Sequence, residues 1–211
     1  MARFSIICML LIFAAWPGAV SAQSIDMLWN EVQAPPAPAL EQAAPDPATT
    51  ALLVLDIEQL TCNPERRPRC LETVPRIASL IDKARAVKMP VIYSLTPRGA
   101  LETILDPVKP QAGEHIVSSS VDKFWNTDLE KILKAKGVTT VIITGTAAHG
   151  AVLRTATAAE FRKLKVILPV DCLSAADLYT EQATVQLLLT GPGTRNAIIL
   201  TRSDMLVFAS K

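Results

Sequence analysis

Residues 139–156, TTVIITGTAAHGAVLRTA, decide the fold class of this chain. The β-branched run Val141-Ile142-Ile143 ends at Gly145, and a helical pattern starts within a few residues. Such a run suits a strand buried on both faces. In a doubly wound sheet the strand-to-helix turn that follows lies at the carboxyl edge, where ligands bind. A nucleophile often sits at such a turn, because the helix N-terminus stabilises developing negative charge. Here the turn presents Ala151, and Ala148–Ala151 contain no Ser, Thr or Cys. The turn has the layout of a reactive site and lacks the reactive atom.

Similar apolar runs stand at Leu52–Ile57, Pro90–Leu95, Val138–Thr144, Lys165–Val170 and Asn196–Leu200, with a shorter sixth at His115–Ser118. Helical periodicities fall between them, near Glu72–Lys88, Asn126–Lys136, Gly150–Lys163 and Ala175–Leu189. Strands alternating with helices of about a dozen residues predict βαβ units with right-handed crossovers. The expected architecture is three-layer α/β/α around a mostly parallel six-stranded sheet. No internal repeat is present.

The N-terminus reads differently. Arg3 precedes the apolar run Phe4–Trp16, and small residues end at Val20-Ser21-Ala22. A basic start, a short apolar core and a small-x-small end describe a cleavable secretory signal over residues 1–22. The run is short for a membrane span, so a periplasmic or secreted location is expected, with no membrane contact after cleavage. Residues 23–50 form a Pro/Ala-rich tether containing Pro35, Pro36, Pro38, Pro45 and Pro47. Residues 51–211 form the domain.

Cleavage would remove one charged residue, Arg3, leaving basic and acidic residues balanced at 20 each. A neutral chain poor in aromatics argues against nucleic-acid binding. Cys62 and Cys70 bracket the polar loop CNPERRPRC, and a disulfide there fits an oxidising compartment. Two free thiols are the other reading. Arg66, Arg67 and Arg69 of that loop read as solvated, with an anion-attracting role if the loop overlies the ligand crevice. Cys172 reads as a small buried core residue.

Asp56 ends the first strand, where a carboxylate points into the crevice and partial burial raises its pKa toward proton-transfer duty. A structural turn cap is its other role. His149, beside the helix start, reads either as an auxiliary donor and proton carrier or as a cap on local backbone. Asn126 or Thr127 is the expected N-cap of the second helix. Phe124 and Trp125 are expected to cover one side of the crevice, and Lys123, the nearest cation, reads as a solvated surface lysine, with a site role as its other reading. Glu181 and Gln182 read as surface or subunit-contact residues. His115 and His149 are the sole histidines, which leaves a metal centre unsupported and no cofactor expected.

Taken in order, LLVLDIEQ (52–59), KFWNTDLEKILKAKGV (123–138), VIITGTAAHGAVLRTATAAEF (141–161) and KVILPVDCLSA (165–175) resemble the isochorismatase-like, or cysteine hydrolase, family over roughly Ala51–Thr201. The resemblance implies a small-molecule substrate, frequent homo-oligomers, and hydrolysis of small amides or of isochorismate's vinyl ether. The family site is an Asp, a Lys and a Cys. Asp56 matches the first. The Lys slot, six residues before Phe124, holds Ser118, and the Cys slot holds Ala151. Members acting on isochorismate also lack the cysteine and carry an Ala-His pair matching Ala148-His149, but keep the lysine. Two outcomes therefore stand. One is a hydrolase using Asp56 and His149, with Ala148, Gly150 and Ala151 forming a backbone cradle for a substrate oxygen. The other is a catalytically silent pseudoenzyme that binds a small molecule or acts as a scaffold.

Overall fold

A computed structural model of the chain describes residues 23–195 and 197–208. The expected signal segment, residues 1–22, lies outside the described residues. Two compact units divide the chain, the first ending at Pro38 and the second starting at Ala39. The described part of the first unit holds one short helical turn, Trp29–Glu31, with Ile25, Met27, Trp29 and Val32 exposed.

Among the described residues the second unit contains seven strands: β1 Thr50–Leu55, β2 Val91–Leu95, β3 His115–Ser118, β4 Thr140–Thr146, β5 Lys165–Pro169, β6 Leu173–Ser174 and β7 Ile198–Thr201. Four α-helices accompany them: α1 Pro68–Ala86, α2 Leu129–Ala135, α3 Leu153–Phe161 and α4 Leu178–Thr190. The strand order is β3-β2-β1-β4-β5-β7, with the two-residue β6 attached to β4. Every pairing is parallel. The six-stranded parallel sheet is as expected, and β6 is the addition.

Alternation along β1 divides the core. Ala51, Leu53 and Leu55 face one side with Leu129 and Leu133 of α2, Ala156 and Ala159 of α3 and Leu188 of α4. Leu52 and Val54 face the other side with Ile77, Leu80, Ile81 and Ala84 of α1. A strand buried on both faces needs apolar residues at every position, which is why these runs are continuous.

Some boundaries move for local reasons. Helix α1 starts at Pro68, four residues earlier than its apolar periodicity, because proline fits the first helical turn. Helix α2 starts later, at Leu129. Thr127 lies ahead of that start, where its hydroxyl accepts from Leu129 N, and Asn126 takes a left-handed φ of 53°. The turn after β4 is a π-helical turn, Ala148–Val152, before α3 begins.

The C-terminal part of the expected tether packs. Glu41 N donates to Leu200 O on the outer edge of β7, and Ala43 exchanges backbone hydrogen bonds with Met205 and Val207. An extended Pro/Ala segment can cover a sheet edge that would otherwise present free backbone groups. None of the helices among the described residues is long and apolar enough to cross a membrane.

Candidate active site

The carboxyl ends of β1, β2 and β4 converge on one crevice. Asp56 follows β1 in the left-handed region, φ 53°, a conformation Asp tolerates better than most residues. Its backbone N–H continues the ladder to Ser94 O at 3.1 Å. Its side chain is almost fully buried, with Oδ1 accepting from the Ser94 hydroxyl at 2.7 Å. The Lys123 ammonium sits 2.8 Å from Oδ2.

Lys123 is therefore no surface residue. It is fully buried, and its Nζ also donates to Ser119 O at 2.9 Å, Ser120 O at 2.7 Å and Leu95 O at 3.3 Å. Its backbone N donates to Thr155 Oγ1 on α3 at 3.2 Å. An extended chain would carry Lys123 more than 15 Å beyond Ser118, but the chain folds back after β3. The Ser119 hydroxyl donates to Asp122 O and Trp125 O, closing the loop that returns the lysine. Ser118 stays on the exposed edge strand, its hydroxyl on Thr96 O at 3.1 Å. It is Lys123, and not the residue at position 118, that brings an ammonium to Asp56.

Burial pushes the Asp56 carboxyl above its ordinary range, and the neighbouring Glu58 charge adds to this. Lys123 and Ser94 pull it back. Glu58 is a residue that the sequence reading missed. It is fully buried, Oε1 accepting from Thr96 N at 2.8 Å and Oε2 from the Thr103 hydroxyl at 2.9 Å. Its one sequence signal is the i, i+2 spacing from Asp56.

The crevice encloses about 430 Å³, and Asp56, Thr96, Thr146, His149, Gly150 and Ala151 are among its lining residues. That volume suits a small molecule. A larger cavity of about 700 Å³ runs along β3 and α2, but neither Asp56 nor Lys123 lines it. His149 is exposed at the mouth of the smaller one. Ala151 places its methyl in the same wall, on the π-helical turn. Within that turn the Gly150 and Val152 N–H groups both donate to Ala147 O, which leaves them out of any cradle.

Two expectations about the wall fail. Phe124 is buried in the core with Ala148, Ala151 and Val152, and the Arg162 guanidinium stacks 4.5 Å from its ring centroid. Ala148 is likewise fully buried, so both support the turn from behind. Trp125 is 67% exposed and is not among the crevice residues.

Cys62 and Cys70 form a disulfide with Cα atoms 5.3 Å apart. The loop they close carries Arg66 and Arg67 to the crevice wall. Arg69 turns away and makes a two-point ion pair with Glu181, 2.8 Å at each contact, while Glu181 Oε1 also accepts from Ala175 N. Glu181 thus ties α4 to the loop. Cys172 is buried, its thiol pushed up to about 12, chiefly by burial. Among the described residues no three His, Cys, Asp or Glu side chains gather into a possible metal-binding group.

Residues 50–202 match the isochorismatase domain model. The chain is 31% identical over 115 residues to the secreted isochorismatase effector Isc1 of Verticillium dahliae, covering 49% of this chain and 60% of that protein. It is 26% identical over 153 residues to enterobactin synthase component B of Escherichia coli, covering 61% of this chain and 54% of that protein. The chain thus spans less than two thirds of the length of these curated relatives. The crystal structure of a cysteine hydrolase from Pseudomonas syringae pv. phaseolicola superposes with a TM-score of 0.68 at 21% identity, over 80% of this chain and 95% of that one. With the parallel sheet, the crevice at its carboxyl edge and a domain match spanning most of the chain, this protein belongs to the isochorismatase family.

Proposed function

We propose that the chain is an exported hydrolase that cleaves a small vinyl ether by proton transfer from Asp56 and attack of water, with no covalent intermediate. The observation that carries this reading is the Asp56–Lys123 pair at 2.8 Å beside a turn that offers a methyl group at Ala151. Vinyl-ether hydrolysis needs a proton delivered to carbon and needs no nucleophilic side chain. Asp56 in its acid form protonates the terminal vinyl carbon. Water then adds to the resulting oxocarbenium carbon and returns a proton to the carboxylate. The hemiketal collapses, releasing an alcohol and a carbonyl compound. Amide hydrolysis on this scaffold would require an activated nucleophile, and the family's cysteine position is Ala151. The raised carboxyl of Asp56 suits an acid, and Lys123 stabilises the carboxylate left after transfer. His149 at the mouth supplies a further donor to a substrate oxygen. The secreted relative, the signal-like residues 1–22 and the disulfide support export.

The test uses full-length protein expressed with its own leader and recovered outside the cytoplasm, its mature N-terminus expected near Gln23. A panel of vinyl ethers and primary amides is followed by product detection. Vinyl ethers should turn over, with activity falling as pH rises through the raised Asp56 value. Asp56→Asn should reduce turnover by about 100-fold or more, measured per folded molecule because the buried Lys123 ammonium loses its partner. Turnover of amides alone would refute the reaction assigned. Ligand stabilisation without turnover, weakened by Asp56→Asn, would favour the silent binding protein that Ala151 also allows.

A further inference from the structure

Two buried carboxylates follow β1, and the second has no counterion. Glu58 is fully buried, and among the described residues no Lys, Arg or His lies within ion-pair distance of it. A glutamate in that setting is rare, because burial penalises an unpaired charge. Its oxygens are held instead by a loop. Oε1 accepts from Thr96 N at 2.8 Å and Oε2 from the Thr103 hydroxyl at 2.9 Å, so one carboxylate closes both ends of residues 96–103. The backbone repeats the tie, with Gln59 N donating to Thr103 O at 2.9 Å and Leu105 N to Ile57 O at 3.2 Å. Gly99 passes so near that a Cβ there would overlap the Glu58 carboxylate. Thr96 and Pro97 of this loop line the crevice with Asp56.

We propose that Glu58 is a positioning residue of this site: its carboxylate pins the 96–103 loop to the crevice wall and keeps Asp56 in the proton-carrying form. Two carboxylates sharing a buried region disfavour double ionisation. Around Asp56 stand the Lys123 ammonium and, from the crevice wall, Arg66, Arg67, Arg154 and His149. Positive charge on any of these favours the ionised carboxylate. Among these groups Glu58 is the one negative charge, and it acts in the same direction as burial on the Asp56 carboxyl. Anchoring alone would not require a charge. A glutamine could accept from Thr96 N through its carbonyl and donate to Thr103 Oγ1 through its amide. The Thr103 hydroxyl would then donate to Ala100 O, 2.7 Å away. The charge is what the site keeps beyond the anchor.

The inference rests on Asp56 as the proton donor, and direct titration separates the two. The side-chain carboxyl of Asp56 is followed by NMR against pH in the intact, isotope-labelled protein, its signal assigned by its loss in Asp56→Asn. Glu58→Gln should lower the pH at which that carboxyl ionises, at an unchanged or higher melting temperature. Turnover should move with it. On the falling alkaline limb Glu58→Gln should be about tenfold slower than the parent protein, and the deficit should shrink in acid. Thr103→Val, which keeps the charge and removes one anchor, should raise KM and leave the limb in place. An unmoved Asp56 titration in Glu58→Gln, an equal loss at every pH, or an unchanged KM in Thr103→Val would overturn the proposal. A shifted titration in a protein that turns over no vinyl ether would uphold the hold of Glu58 on Asp56 and refute the reaction instead.

Discussion

Lys123 carries more of this site than its place in the sequence suggests. A fully buried ammonium and a nearly buried carboxylate hold each other, and the two remaining ammonium protons are shared among three backbone carbonyls. Removing one partner leaves an uncompensated charge, at a cost of about 3–5 kcal/mol. Lys123→Met should therefore destabilise the protein strongly at neutral pH. Without the ammonium, burial and Glu58 both raise the Asp56 carboxyl, so the fold favours its neutral form. The destabilisation should shrink in acid and grow as pH rises through that raised value. Asp56→Asn combined with Lys123→Met should recover most of the loss, in a double-mutant cycle followed by denaturant unfolding. Asp56 was legible because a carboxylate at the end of a first strand has one obvious place to point. Lys123 was not, because its position depends on a turn at Ser119–Asn126 held by hydroxyl-to-carbonyl bonds rather than by any periodic pattern.

At the scale of elements, the continuous apolar strands and the α1, α3 and α4 periodicities declared themselves, because burial on both faces leaves a plain compositional trace. The π-helical turn at Ala148–Val152 leaves none, since alanines fit any helical geometry. The arginine loop lies between these extremes. Its bracketing cysteines announced a bridge, but its place over the crevice follows from Arg69 reaching Glu181 on α4. Closing a loop of this length removes chain entropy worth about 2.5 kcal/mol. Replacing both Cys62 and Cys70 by Ala should lower unfolding stability by about that amount, read from urea titration with the slope unchanged. Cys172, buried and raised to about 12, should resist alkylation in the native protein throughout.

For the whole molecule, pH stability should be limited by a group far from the chemistry. Glu160 on α3 has a buried Oε1 with no partner, and burial pushes its carboxyl up to about 7. Its folded value lies above its unfolded one, so the fold favours the protonated form. That contribution is complete below the ordinary carboxyl range and is lost as pH rises through about 7. Glu160→Gln should gain roughly 1 kcal/mol at alkaline pH after solvent screening, and almost nothing in acid, in paired thermal melts. The two core clusters on either face of the sheet make the fold tolerant elsewhere, but one contact between strands is not. Gly145, φ 125°, lies opposite Leu55, and a Cβ there would overlap the Leu55 carbonyl. Bare backbone at this point lets two neighbouring strands end side by side, so Asp56 following one stands beside the turn following the other. Any side chain would act as a wedge, and the spacing between Asp56 and the Ala151 turn is thus fixed by an atom that this residue does not have.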